Sequence, residues 1–192
     1  QFRKVGSIIQ ADPERRFVVP AGPGKRSRDD EKVTDMLYAC YALAEEGSDF
    51  SEKLSAIRAR YEEIIKGLSL KLSLEEEFQK IEENFRNKAG KDYAASRGEY
   101  LNGIVMAAYL KFPFIDAAEV IFFDEHGKFD DYKTDQVLSK RLEQMDAAVL
   151  PGFYGSMPDR RVKAFSRGLP DLNGSFVSRA VQADGSETWP CV

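Results

Sequence analysis

A few side chains stand where their type and neighbours could bind a charged ligand. Glu99 closes the run Ser96-Arg97-Gly98-Glu99, and Arg167 opens Arg167-Gly168-Leu169-Pro170-Asp171. Thr34 follows Lys32-Val33, where a helical pattern starts; a hydroxyl and free N–H groups at such a start can bind an anion. Lys25 ends the flexible loop Ala21-Gly22-Pro23-Gly24-Lys25. Local sequence also offers a plainer reading of each. Ser96-x-x-Glu99 has capping-box spacing, and Arg167 suits a surface position beside a glycine turn. Thr34 suits an ordinary first-turn position, and Gly-Pro-Gly followed by a lysine is usually just a turn.

Composition narrows the classes. The 192 residues suit one domain, with 43% hydrophobic and 31% charged residues, an ordinary globular balance. Lys plus Arg is 28 and Asp plus Glu is 32, net −4, with no basic stripe, so no nucleic-acid partner is expected. The local run Lys25, Arg26 and Arg28 is followed by Asp29, Asp30 and Glu31, the pattern of a solvated loop. Cys40 and Cys191 do not make a disulfide framework, and a reducing cytoplasm is the default. The single histidine, His126, lies in a turn-like Asp-Glu-His-Gly-Lys run; structural zinc wants four Cys/His ligands, so no metal site is expected. The apolar runs are too short for a transmembrane helix, and the first residues lack a signal peptide's apolar stretch, so neither membrane nor export is expected.

The elements that must position these residues alternate in type. Helical spacing covers 1–10 and stops at Asp12-Pro13; Phe17, Val18 and Val19 form a short apolar run that fits a buried strand. Val33, Met36, Leu37, Cys40 and Ala44 share a helical face that Gly47 ends. A helical pair spans 50–88, with Leu54, Ile57, Tyr61, Ile64 and Leu68 on one stripe and Leu74, Phe78, Ile81 and Phe85 on the next, the second opened by a Ser73-x-x-Glu76 box. These stripes read as core seams, and a docking surface is the lesser reading. A helix over 93–110 precedes expected strands at 112–116 and 120–123, with a hairpin-type turn at 124–128 after them. A helix over 131–145, strands at 147–150 and 162–165, and a closing helix over 172–183 complete the pattern, which argues for an α/β sheet covered on both faces.

In order and spacing, four segments together resemble the aspartate kinases of the amino acid kinase family. They are Phe17-Val18-Val19-Pro20-Ala21-Gly22-Pro23-Gly24-Lys25 leading to Lys32-Val33-Thr34-Asp35; Tyr93 through Gly103 with Ser96-x-Gly98-Glu99; Phe114-Ile115-Asp116-Ala117-Ala118-Glu119; and Val149-Leu150-Pro151-Gly152-Phe153-Tyr154-Gly155 leading to Phe165-Ser166-Arg167-Gly168. The resemblance implies a three-layer αβα sandwich with a mainly parallel sheet, and phosphoryl transfer from Mg-ATP to the side-chain carboxylate of L-aspartate, giving 4-phospho-L-aspartate on the route to lysine, threonine and methionine. Two anions meet in such a reaction, so catalysis rests on positioning and charge neutralisation. A dipolar substrate wants a carboxylate for its ammonium and a bidentate arginine for its α-carboxylate. By resemblance Glu99 takes the first job and Arg167 the second, Thr34 lies near the phosphoryl acceptor, and Asp171 is catalytic. L-aspartate and ATP with Mg are the implied partners, in the cytoplasm, with a homo-oligomer possible.

Residues after Gly168 depart from the pattern. An Arg-Gly-Gly-Ser-Asp motif is replaced by Arg167-Gly168-Leu169-Pro170-Asp171; leucine resists positive φ, and proline removes an N–H and fixes φ. A Trp-Thr-Asp-Val nucleotide segment reads Trp189-Pro190-Cys191-Val192. A Lys-Phe-Gly-Gly-Ser strand end, the rest of the nucleotide half and the regulatory ACT domains have no counterpart in these 192 residues. The expectation is a single partial kinase domain over 1–192 with the helical pair 50–88 inside it, and the alternative is an inactive amino-acid-binding module or fragment.

Overall fold

A computed structural model describes residues 1–165 and 172–189. Helix α1 (Phe2–Gln10) ends before Pro13 and leads to strand β1 (Phe17–Val18). Helices α2 (Val33–Glu45), α3 (Ser51–Gly67), α4 (Glu75–Arg86) and the long α5 (Lys91–Leu110) follow. Then come a short α6 (Ala117–Val120), α7 (Asp131–Leu142), strands β2 (Ala148–Val149), β3 (Tyr154–Ser156) and β4 (Val162–Ala164), and α8 (Leu172–Ala180). The protein is α/β. β1 pairs in parallel with β2, Val18 opposite Val149, and Phe114 bridges Val149 in parallel from the other side. β3 pairs antiparallel with β4, and Phe122 bridges Ser156.

The helical pattern reads well because its stripes are core. Leu54, Ile57 and Tyr61 of α3 and Phe78, Ile81 and Phe85 of α4 are buried against Leu37, Cys40 and Tyr41 of α2. Ile65 joins the α3 stripe as a buried residue, and the expected Ile64 and Leu68 pack against it partly buried. α5 is buried nearly all round, from Ala94 to Leu110, because one face meets α2–α4 and the other meets the strands. A second cluster gathers Ile121, Leu138, Tyr154, Phe165 and Phe176 around α6–α8 and β3–β4.

Four expectations are corrected. The strands at 112–116 and 120–123 shrink to isolated bridges at Phe114, Phe122 and Phe123, because Asp116 accepts from Ala118 N–H at 3.0 Å and caps α6 in between. β3 was not expected: it forms because Gly155 lets the chain lie against Ile121, where a Cβ would come within 2.5 Å of the Ile121 carbonyl oxygen. Ser96-x-x-Glu99 is no cap, since it lies inside α5 and the Ser96 hydroxyl donates to Tyr93 O at 2.7 Å. The 124–128 turn is present, with Asp124 N–H donating to Lys128 O at 2.7 Å and Gly127 at φ 75°. The Ser73-x-x-Glu76 box expected at α4 does not form: Leu74 is the N-cap and has no side-chain cap bond, and Ser73 Oγ accepts instead from Glu75 N–H at 3.2 Å.

Candidate active site

The parallel strands β1 and β2 leave the sheet side by side. Leu150 N–H donates to Val18 O at 3.0 Å and Gly152 N–H to Pro20 O at 3.4 Å. The two exit turns, Pro20 to Gly24 and Pro151-Gly152, therefore form one lip, and in open α/β sheets ligands bind outside such carboxyl ends. α5 lies against the lip. A Cβ on Gly22 would meet Glu99 Oε1 at 3.2 Å and the Gly98 carbonyl carbon at 3.3 Å, so only a bare backbone passes this close to α5.

Glu99 lies beneath that loop. Its Oε2 is closed to solvent and accepts no hydrogen bond. Loss of hydration pushes its pKa up to about 7, while the backbone N–H groups of Glu99 and Gly22 and the nearby Arg97 pull the other way. One turn along α5, Asn102 donates from Nδ2 to Ala21 O at 2.6 Å, and its buried Oδ1 has no donor. Thr34, in the first turn of α2, places its Oγ1 3.8 Å from where a Cβ on Gly98 would stand. Tyr61 donates to Gly98 O at 2.7 Å and fixes the same turn from the other side. The fold thus packs Thr34 against Gly98, the residue before Glu99. Asn173, in the first turn of α8, repeats the Asn102 pattern: Nδ2 donates to Pro151 O at 3.0 Å and Oδ1 is unmatched.

Lys25 is exposed. Its loop is held from behind by Arg60, which donates to Gly24 O at 2.5 Å and Glu31 O at 2.9 Å and pairs with Asp30 at 2.8 Å. Hydrogen bonds from Arg26, with the Arg60 charge behind them, hold the Asp30 carboxyl well below the usual carboxylate range. Arg167 and Asp171, with the altered Leu169 and Pro170, and Pro190 and Cys191, lie outside the described residues. Among the described residues no group of three or more His, Cys, Asp or Glu could hold a metal ion, and no helix is long and apolar enough to cross a membrane.

Arg97 was missed by sequence reasoning. Its guanidinium is buried over the rings of Tyr100 at 4.2 Å, Tyr93 at 4.5 Å and Tyr154 at 5.4 Å. Tyr154 in turn donates to Asp116 and Tyr100 to Glu77, each at 2.7 Å. The available signal was an arginine flanked by tyrosines at i−4 and i+3 within one helix.

No protein-family model matches the sequence. The chain is 32% identical over 199 residues to aspartokinase 3 of Bacillus subtilis (strain 168), covering 96% of this chain and 44% of that protein. Its structure superposes on the aspartate kinase of Clostridium acetobutylicum with a TM-score of 0.91 and 45% identity, covering 95% of this chain and 42% of that one. It superposes on E. coli aspartokinase III in complex with aspartate and ADP with a TM-score of 0.74 over 95% of this chain and 44% of that one; at 22% identity this shows the fold alone. The chain spans less than half the length of each relative. Over nearly its whole length, the chain is a homologue of the aspartokinases.

Proposed function

We propose that this chain is part of an aspartate kinase that moves the γ-phosphoryl group of ATP to the side-chain carboxylate of L-aspartate, giving 4-phospho-L-aspartate and ADP. The observation that carries the reading is Glu99: a carboxylate oxygen buried without a donor at the strand ends, where an ammonium supplies one. In this reading Glu99 holds the substrate ammonium and Arg167 its α-carboxylate. The Thr34 hydroxyl steadies the acceptor carboxylate or the incoming phosphoryl group, and Asp171 completes the catalytic set. The nucleotide would be Mg-ATP, the metal supplying positive charge to offset that of the phosphates. The described elements then form part of a three-layer αβα sandwich over 1–192, in a cytoplasmic, self-associating enzyme that opens the route to lysine, threonine and methionine. The B. subtilis and C. acetobutylicum relatives are kinases, which does not favour a binding module without transfer.

The test is product trapping. The complete polypeptide, given L-aspartate and Mg-ATP, is quenched with hydroxylamine, which converts an acyl phosphate to a hydroxamate. Hydroxamate that requires both substrates, with D-aspartate inert, is the expected result; ATP hydrolysis without hydroxamate would refute the reading.

A further inference from the structure

Asn102 carries an unexplained buried atom. Only 6% of the residue is exposed, and it lies on α5 three positions after Glu99, so the two side chains rise from one face about 5–6 Å apart at Cβ. The Ala21 carbonyl fixes which way the amide points, because it needs a donor and Nδ2 supplies it at 2.6 Å. Oδ1 is then committed to the opposite side, where it has no donor. Glu99 Oε2, one turn away, is in the same state. A buried acceptor without a donor costs about 1–3 kcal/mol, and two such atoms one turn apart on the same helix face suit one ligand that brings several N–H groups.

An ammonium has three. We infer that Asn102 is a second acceptor for the substrate ammonium, its Oδ1 taking one N–H while Glu99 Oε2 takes another. The inference rests on the reading of Glu99 given above. In the present state Gly22 lies over Glu99 Oε1, with the Gly22 N–H facing the carboxylate, and the two unmatched oxygens, Glu99 Oε2 and Asn102 Oδ1, are left for the ligand's donors. The consequence is specificity. A hydroxyl in place of the ammonium satisfies at most one of the two acceptors, so the pair selects an amino acid over a hydroxy acid of the same shape.

The experiment is a double-mutant cycle on the complete polypeptide, titrated calorimetrically with L-aspartate. Asn102→Leu keeps the branched shape and removes the acceptor together with the donor to Ala21 O; the expected loss of affinity is about 10- to 100-fold, with a lowered melting temperature from the lost Ala21 bond. In a Glu99→Gln background the same substitution should cost less than about threefold, because the ammonium has already lost its anchor. Should Asn102→Leu fail to fold, Asn102→Ser gives the same comparison. An unchanged affinity in the single variant assigns a buried water to Oδ1 and overturns the inference. Losses that multiply fully in the double variant also overturn it, since they assign Asn102 only to holding the Ala21 carbonyl. If Glu99→Gln itself binds like the wild type, the ammonium reading of Glu99 falls and the inference with it. A weakened Glu99→Gln beside an unaffected Asn102→Leu sinks the inference alone.

Discussion

The helical region and the seam along α5 were built from the same sequence by different rules. Between α2, α3 and α4 the large side chains are fully buried, Phe85, Ile57 and Tyr61 among them, and the polar groups find partners. Gly90 N–H donates to Tyr41 Oη at 2.9 Å, Tyr61 donates to Gly98 O, and Arg60 is tied to two carbonyls and Asp30. The unmatched buried atom there is Arg58 Nε, on a guanidinium otherwise paired with Glu75 at 2.9 Å. Along the seam, Glu99 Oε2 and Asn102 Oδ1 have no partner, and neither does Asn173 Oδ1 behind the β2 exit. In the first region nearly all the buried polar groups are matched within the fold, although a cleft lined by Tyr61, Ile65, Leu74 and Phe78 remains between α3 and α4. In the second, folding leaves buried acceptors without a donor from the chain.

The sharpest way to break that contrast is to damage the helical region and watch the seam. Phe85→Ala removes a fully buried ring that contacts Tyr41, Phe50 and Tyr93. A loss of about 3–5 kcal/mol is expected in urea unfolding, with L-aspartate affinity of the folded protein unchanged. A matching fall in affinity would show that the two regions are not separable.

The second test runs the other way, through pH. The folded-state pKa of Glu99 is raised to about 7, so the native state holds this proton more tightly than the unfolded chain does. Its contribution is fully present below the ordinary glutamate range and is lost as pH rises through about 7. The melting temperature without ligand should therefore fall between pH 5 and pH 8, and Glu99→Gln should flatten that slope. Over the same interval the proposed ammonium role of Glu99 requires L-aspartate to bind more tightly, because the Glu99 carboxylate becomes charged. Equal slopes in wild type and Glu99→Gln would place the titration elsewhere.

The smallest effect belongs to the surface. Arg179 on α8 pairs with Asp131 at 2.7 Å and Asp135 at 3.0 Å on α7, all half exposed. Arg179→Ala should cost less than about 1 kcal/mol, and less still at high salt. A larger loss would mean that α8, and with it Asn173, depends on this pair more than on its apolar contacts.

How much was legible depends on the same division. Helices with one apolar face announce themselves, so α2, α3 and α4 could be read from period alone, as could the core roles of Leu37, Phe78 and Phe85. Strands of two or three residues leave little period to read, which is why β3 was missed and the segments around Phe114 and Phe122 were over-read. Glu99 and Thr34 were legible through motif resemblance. Asn102 was not, because an amide inside a helix gives no sign of what it will face; for Arg97 the flanking Tyr93 and Tyr100 were a signal that went unread.

By itself the sequence determined the alternation of helix and strand, the apolar seams and the segments that resemble aspartate kinases, because period and motif are local and survive without a partner. Only the tertiary structure decided that Ser96-x-x-Glu99 is no cap, that Gly22 crosses over Glu99, and that Asn102 points one end of its amide at Ala21 and leaves the other unmet. Burial and hydrogen-bond satisfaction depend on residues far apart in the chain, such as Ala21 and Asn102, meeting in space, and no window of sequence contains that information.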